Sequence, residues 1–329
     1  MQAIKIIFSR LLLTKLILLL SCIPPHAVLA ESEVSGFLVS PSARVEKWMA
    51  AGEFIELKGQ SIYYQTIGSG PALLLIHGYP YSSYDFHRIA ETLSANYKIV
   101  LIDLPGMGFS DKNRIRYSFE EYADVVNDLL VHLGIKSVDV LGHDLGASVL
   151  QELIARGNTN PVTLRTAAFM NSGLFSDAYR PRLVQRLMSQ SPDWFGAFIS
   201  AWLTRGMVEE SVVSLFGPDT GPSQELLDDW WSILNYKEGK SVSHRLGRLV
   251  FDKVSYQDRW ISAMQKTSVP MIYLCGSADP NSGLHMAERY AQLVPNPAVK
   301  LFENIGHWPQ IEAEDGVVKN YLAFLSANK

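Results

Sequence analysis

The residues with the clearest chemical potential form the pentapeptide GHDLG at 142–146. It follows the apolar run Val138–Leu141 and opens a stretch of helical periodicity, so it marks a turn from a strand into a helix. Small residues permit a tight turn there, and such a turn presents its central side chain for attack. That central residue is Asp144 rather than a serine. A carboxylate is already ionised near neutral pH and attacks an electrophilic carbon without help from a base.

Three further polar segments follow predicted strands and strengthen a motif that is weak on its own. They are HGYP at 77–80, GSADP at 276–280 and GHWP at 306–309. Together with the pentapeptide they give the chain order nucleophile, acid, histidine, which is one of the known orders of a hydrolytic triad. We therefore predict Asp144 as the nucleophile, Asp279 as the acid and His307 as the base.

Short apolar runs alternate with helical patterns from residue 50 onward. Strands are predicted at 54–57, 62–66, 72–76, 99–104, 138–141, 166–170, 269–275 and 299–302. Helices are predicted near 83–94, 118–133, 145–156, 283–293 and 311–326. This alternation predicts an α/β fold with a mostly parallel sheet flanked by helices on both faces.

Residues 174–258 interrupt the alternation, because they hold no clear strand and look helical. We predict that they form an inserted helical cap over the carboxyl ends of the strands, where ligands bind in open α/β sheets. The core then comprises 50–173 and 259–329. We expect most of the cap's tryptophans to form its own core and two or three of them to face a pocket. These tryptophans are Trp194, Trp202, Trp230 and Trp231.

Four segments resemble the α/β-hydrolases that use an aspartate nucleophile, the epoxide hydrolases and haloalkane dehalogenases. They are HGYPYSSYDFHRI (77–89), DLPGMGFSDK (103–112), GHDLGASVLQEL (142–153) and GHWPQIE (306–312). Within that superfamily the chain is most similar to the mesoderm-specific transcript subgroup, through NSGLF (171–175), RP (180–181), FGP (216–218) and HGYPYSSYD (77–85). The resemblance implies the α/β-hydrolase fold with an inserted helical cap.

The resemblance also implies a two-step mechanism. Asp144 attacks carbon and forms an alkyl ester, and His307, oriented by Asp279, then activates the water that hydrolyses it. The backbone N–H groups of Tyr79 and Leu145 form the oxyanion hole. Such a reaction needs no metal and no organic cofactor. Some dehalogenases place the acid at the position of Asn171, but an amide cannot ionise, which favours Asp279.

The leaving group distinguishes the two activities. An epoxide oxygen leaves as an alkoxide and needs a proton donor such as a cap tyrosine, whereas a halide needs N–H donors. Dehalogenases commonly supply those donors from a Trp and an Asn at the positions of Leu145 and Tyr79, which disfavours dehalogenation. An indole of Trp194 or Trp308 would have to replace them.

The cap tyrosines of epoxide hydrolases fall in a register occupied here by Trp194 and Leu249. Tyr179, Tyr236 and Tyr256 are the available hydroxyls. We expect an epoxide hydrolase acting on a small, apolar, neutral substrate with water. A haloalkane dehalogenase is the alternative, and a non-catalytic small-molecule-binding protein of the same fold is a further one.

The amino-terminal 30 residues read as a targeting segment rather than as part of the fold. Three basic residues precede the apolar run Leu16–Leu20, and VLA at 28–30 suits a cleavage point, so we predict a signal peptide over 1–30 and a secreted or periplasmic protein. Lipid anchoring at Cys22 is an alternative. The uncharged stretch 16–30 contains two prolines and is short for a stable membrane span. The formal net charge of −4 disfavours nucleic acid as a partner.

Overall fold

Eight strands form one sheet in the computed structural model, which describes residues 36–112 and 116–329. The predicted signal peptide and Cys22 lie outside the described residues. The strands are β1 (Glu53–Leu57), β2 (Gln60–Ile67), β3 (Ala72–Ile76), β4 (Lys98–Ile102), β5 (Ser137–His143), β6 (Thr163–Met170), β7 (Met271–Gly276) and β8 (Ala298–Phe302). Their order is β1-β2-β4-β3-β5-β6-β7-β8. β2 runs antiparallel to both of its neighbours and all the other pairs are parallel, so the predicted mostly parallel sheet is confirmed.

Helices cover both faces of this sheet. They are α1 (Ala43–Ala50), α2 (His87–Ser94), α3 (Phe119–His132), α4 (Leu145–Arg156), α5 (Leu183–Gln190), α6 (Asp193–Trp202), α7 (Arg205–Val213), α8 (Gln224–Leu234), α9 (Ser243–Asp252), α10 (Gln257–Lys266), α11 (Leu284–Leu293), α12 (Pro309–Glu312) and α13 (Glu314–Ala327). Among the described residues, no helix combines the length and the apolar character needed to cross a bilayer.

The period-two geometry of β3 explains why its sequence is apolar throughout. Leu74 and Ile76 join a core with α3, α4, α10 and α11. Leu73 and Leu75 point the other way and join a second core with α2 and α13. Because β3 and its parallel neighbours run in the same direction, their carboxyl ends meet at one edge of the sheet, where the loops that carry the predicted site residues begin.

The stretch 174–258 between β6 and β7 holds helices α5 to α9 and no strand. The expectation for its tryptophans was wrong. Trp194 and Trp202 are 73% and 62% exposed on α6, and Trp231 is half-buried. Trp230 is buried, but against Tyr81 and Trp308 outside the stretch, with ring centroids at 4.5 and 5.0 Å. None of the four lines the cavity described below.

Buried polar contacts attach α8 to the remainder of the fold. The Trp230 indole N–H donates to Asp85 at 2.9 Å, and the Tyr84 hydroxyl donates to Asp229 at 2.7 Å. The Arg44 guanidinium of α1 pairs with the same Asp229 carboxylate at 3.0 Å. Helix α8 is therefore held by hydrogen bonds as well as by packing.

Candidate active site

Asp144 occupies a strained turn between β5 and α4. Its backbone has φ 48° and ψ −112°, a conformation that a non-glycine residue adopts only where its surroundings impose it. Position 146 requires glycine, because a Cβ there would lie 2.2 Å from the Ile76 carbonyl oxygen. Gly78 faces the same turn, and a Cβ on it would meet the Asp144 side chain at 2.5 Å. The small residues of both predicted segments thus allow Asp144 to stand where it does.

The two carboxylate oxygens of Asp144 have different surroundings. The Tyr79 backbone N–H donates to Oδ1 at 2.9 Å. Oδ2 lies 3.7 Å from Nε2 of His307. Leu145 is the first residue of α4, next to Asp144, but of the two predicted oxyanion-hole donors only Tyr79 bonds to this carboxylate within the described residues. The Ser172 hydroxyl fixes the backbone by donating to the Asp144 carbonyl at 2.6 Å.

His307 and Asp279, the predicted base and acid, are in direct contact. The Nδ1–H of His307 donates to Oδ2 of Asp279 at 2.7 Å. That same oxygen accepts from the Ser282 hydroxyl at 2.6 Å and from the Asn171 amide at 3.1 Å. Oδ1 accepts from the Asn281 backbone N–H at 2.8 Å. The carboxylate is completely buried and has donors on both oxygens.

The charges of this pair shift each other's pKa. Burial alone would raise the pKa of Asp279, but the His307 charge and the surrounding donors hold it well below its usual value. Burial likewise acts to lower the pKa of His307, but the carboxylates of Asp279 and Asp144 raise it above 6.5. The site therefore favours the imidazolium form of His307.

Two further histidines support the site from behind. His143 donates from Nε2 to the His307 carbonyl at 2.8 Å. Burial, followed by the nearby His307 charge, lowers the pKa of His143 to about 3. His77 accepts the Leu104 N–H at Nε2 (2.9 Å) and donates from Nδ1 to the Gly78 carbonyl (2.8 Å). Both rings stay neutral near neutral pH, and they fix the loops that carry His307 and Tyr79.

Asn171, weighed above as an alternative acid, is instead a partner of the acid. Its amide donates to Asp279, and its carbonyl oxygen accepts the Gly276 N–H at 2.7 Å. It therefore joins the end of β6 to the end of β7. Ser282 and Asn281 had no signal in the sequence beyond their closeness to Asp279, and only the fold shows that they bond to it.

A cavity of about 500 Å³ opens above Asp144 and His307. Its walls are mainly apolar side chains of the inserted stretch, including Met188, Val212 and Leu234. Arg182 and Glu210 add charged groups to this lining. An apolar chamber with a few convergent polar groups is typical of a small-molecule site.

Of the three candidate hydroxyls, only Tyr179 lines this cavity. Burial raises the pKa of its phenol, so it stays protonated at neutral pH. The ammonium of buried Lys253 lies 5.8 Å from the centre of the Tyr179 ring. Tyr236 packs instead against Phe37. The hydroxyl of Tyr256 donates to a surface glutamate.

The substitutes considered for halide binding do not reach the cavity as free donors. Trp194 is exposed on α6 and does not line the cavity. Trp308 lines the cavity, but its indole interacts with the buried carboxyl of Asp85. The Tyr79 N–H is engaged with Asp144.

Comparison with known proteins agrees with this geometry. Residues 71–314 match the α/β hydrolase fold family. The chain belongs to that family. It is 33% identical over 303 residues to the mesoderm-specific transcript homolog protein of Bos taurus, covering 87% of this chain and 89% of that protein.

Solved structures show the same fold. The epoxide hydrolase CorEH without ligand matches with a TM-score of 0.70 and 21% identity, over 84% of this chain and 99% of that one. The haloalkane dehalogenase DbeA from Bradyrhizobium elkani USDA94 matches with a TM-score of 0.71 and 21% identity, over 84% and 97%. The predicted α/β-hydrolase fold is confirmed, and it does not distinguish the two activities.

Proposed function

We propose that this protein is an epoxide hydrolase that works through a covalent alkyl ester on Asp144. The observation that carries the proposal is the asymmetry of the Asp144 carboxylate. One oxygen is bound by the Tyr79 N–H, and the other, on the His307 side, borders an apolar cavity. A carboxylate placed in this way suits attack on an uncharged electrophilic carbon.

In the first step Oδ2 of Asp144 forms a bond to an epoxide carbon and the C–O bond of the ring breaks. The departing oxygen takes the phenolic proton of Tyr179, the one of the three candidate cap tyrosines that lines the cavity. The positive charge of Lys253 above the Tyr179 ring favours the phenolate that remains. A positioned proton donor of this kind contributes about 10²- to 10⁴-fold in rate.

In the second step water attacks the Asp144 carbonyl carbon. His307 removes a proton from that water at Nε2, and the Tyr79 N–H stabilises the oxyanion, joined by that of Leu145. Ester formation has by then removed the negative charge of Asp144, one of the groups that raise the pKa of His307. His307 thus loses its proton more easily at the stage where it acts as a base. Collapse of the intermediate breaks the ester C–O bond, and the departing alkoxide takes the remaining proton of the attacking water, which releases a diol and restores the Asp144 carboxylate. His307 keeps the first proton of that water as an imidazolium, and the proton that it gave up before the attack returns through solvent to the Tyr179 phenolate.

A haloalkane dehalogenase would share both steps and differ only in the leaving group. A halide needs N–H donors that have no other acceptor, and the candidate residues do not supply them. The Tyr79 N–H bonds to Asp144, the Trp308 indole interacts with Asp85, and Trp194 is exposed away from the cavity. This favours an epoxide. Amino-terminal targeting for export, with a secreted or periplasmic location, remains part of the proposal on the strength of residues 1–30.

The test is intact-protein mass of the His307→Gln variant after incubation with epoxides and bromoalkanes of distinct masses. Removing the base stalls the second step, so we expect an adduct equal to a whole epoxide. The matched control is Asp144→Asn/His307→Gln, which keeps the site's shape and must stay unlabelled. An adduct equal to a bromoalkane less HBr would instead support dehalogenation. Absence of any adduct would support the non-catalytic binding protein.

A further inference from the structure

Large apolar side chains are exposed together on helices α5 to α7. Seven of the thirteen exposed large apolar residues among those described lie within residues 183–213. We call this surface the apolar face, and it consists of Leu183, Leu187, Trp194, Phe198, Trp202, Met207 and Val213. Exposed apolar surface concentrated in this way marks an interaction site more often than chance.

The centre of the apolar face is an aromatic stripe on α6. Trp194, Phe198 and Trp202 are four residues apart, so they project from one side of the helix, and they are 73%, 51% and 62% exposed. The rings of Phe198 and Trp202 have centroids 5.6 Å apart. The opposite side of α6 carries Gly196 and Ser200, which are buried against α9. The helix is therefore already packed on one side, and its aromatic side lies in solvent.

The charges around this face favour a negatively charged partner. Arg180 and Arg186 are exposed, and neither forms an ion pair with another described residue. Asp193, at the start of α6, is neutralised by Arg245 and Arg248. Residues 180–213 contain four arginines and three carboxylates, so this stretch has a formal net charge of +1.

The cavity mouth belongs to the same surface. Leu183 and Met207 line the cavity and are 71% and 52% exposed, so they lie in both the cavity wall and the apolar face. An apolar molecule crossing from this face to Asp144 would meet an apolar rim first. A protein partner bound here would block the cavity mouth. The apolar interior of a membrane would instead be in contact with the rim and leave the cavity mouth open to apolar molecules.

We propose that the apolar face docks on the surface of an anionic lipid bilayer. Tryptophan and phenylalanine enter the interfacial region, and Arg180 and Arg186 contact lipid phosphates. The cavity then takes its substrate from the membrane, which makes the substrate an epoxide carried on a lipid-soluble chain. The identity of the substrate rests on the proposed function, whereas the docking does not.

Docking is tested on the full-length Asp144→Asn chain, which binds without turnover. Sedimentation with vesicles of phosphatidylcholine and phosphatidylglycerol is compared for this protein and for a version that also carries Trp194→Ser, Phe198→Ser and Trp202→Ser. We expect the partition coefficient to fall about tenfold or more. The matched control removes three exposed apolar side chains from the sheet edges and α3, by Phe54→Ser, Val131→Ser and Leu301→Ser, and should retain binding within about twofold.

Equal binding by the stripe variant would overturn the proposal. So would a change from dimer to monomer in that variant with vesicle binding unchanged, because a second copy would then cover the face. A second experiment uses conservative Trp→Phe substitutions, so that a loss of binding through misfolding of the serine variant does not decide the result. Brominated lipid should quench the fluorescence of the unsubstituted chain, and Trp194→Phe/Trp202→Phe should lose most of that quenching while Trp231→Phe keeps it. Quenching that persists without Trp194 and Trp202 contradicts the docking.

Delivery is tested on the active chain with two probes, a long-chain alkyl glycidyl ether in vesicles and styrene oxide in buffer. The stripe residues do not line the cavity, so their substitution should lower kcat/KM for the vesicle-bound epoxide about tenfold and leave that for styrene oxide unchanged. Equal loss on both probes would overturn the delivery. If the unsubstituted chain opens neither epoxide, the proposed function fails, but the sedimentation result still decides the docking.

Discussion

Replacing Asp279 by asparagine tests how the triad is oriented. Three donors converge on Oδ2 of Asp279, from His307, Ser282 and Asn171, and one reaches Oδ1, from Asn281. An asparagine at 279 will therefore place its carbonyl oxygen where the three donors meet, and its NH₂ group opposite the Asn281 N–H. The His307 Nδ1–H keeps an acceptor, so the base keeps its productive tautomer.

The Asp279→Asn variant loses the negative charge of the carboxylate that accepts from His307. A hydrogen bond to a charged group contributes about 1.5–3 kcal/mol, which corresponds to ester hydrolysis about 10- to 150-fold slower. Where an amide nitrogen instead faces the histidine, as in the serine-protease triad, the known loss is about 10⁴-fold. The convergence of donors on Oδ2 therefore predicts the smaller effect. Opposing the Asn281 N–H with NH₂ should also lower the free energy of unfolding by about 1–3 kcal/mol.

The assay is rapid-quench mass spectrometry with a reactive epoxide, which follows formation and decay of the ester on Asp144 separately. We expect formation to change little, because attack by Asp144 does not need His307 as a base, and decay to slow by about two orders of magnitude at most. A decay slowed by about 10⁴-fold would refute the reasoning about amide orientation. An unchanged decay would refute the role of Asp279 itself.

Three other perturbations follow from contacts in the site. Tyr179→Phe should slow ester formation about 10²-fold or more and leave ester decay unchanged, because only ring opening uses the phenolic proton. Asp144→Asn, which removes a charge as esterification does, should lower the pKa of His307, measured by NMR titration of its ring, because the Asp144 carboxylate is one cause of the raised value. For the same reason, ester decay in the native enzyme should quicken as pH rises through the pKa of the alkylated form, since only neutral His307 takes a proton. Trp230→Phe should lower the free energy of unfolding by about 1–3 kcal/mol in a denaturant titration, because it leaves the buried Asp85 short of a donor.

Each of these predictions has an outcome that contradicts it. Tyr256→Phe is the control for Tyr179, since its hydroxyl bonds to a surface glutamate, and equal slowing in both variants would argue against a specific proton donor. A His307 pKa that does not fall in Asp144→Asn would mean that the two groups are not coupled. For Trp230, a variant as stable as the native chain would show that the Asp85 contact contributes nothing.

The sheet and the proximity of Asp144, Asp279 and His307 could be predicted from the sequence because local pattern determines them. A buried parallel strand such as Ala72–Ile76 needs apolar side chains on both faces, and the loops that carry these three residues follow strand ends that meet at one edge. The hydrogen bond from Asn171 to Asp279 could not be predicted, because it depends on β6 lying beside β7, which the sequence does not state. The tryptophans of α6 were misjudged because apolar residues at helical spacing look alike whether the helix side is buried or exposed.

The walls of the cavity differ in local stability, because α8 is attached to the fold by more buried hydrogen bonds than α5 to α7. Residues 181–216 are hydrogen-bonded to the fold at their two flanks, where the Arg180 N–H donates to the Asn281 carbonyl at 3.2 Å and the Gly217 N–H to Glu312 at 2.8 Å, and α6 also packs on α9. Between those points lie α5 to α7, whose apolar side chains reach solvent, whereas α8 is held through Trp230 and Asp229. Hydrogen exchange should therefore resolve two units, with amides of α5–α7 exchanging by sub-global opening and those of α8 only with the whole fold. The wall formed by α5 to α7 then adjusts to substrates of varied length, and the wall formed by α8 keeps a fixed distance from Asp144.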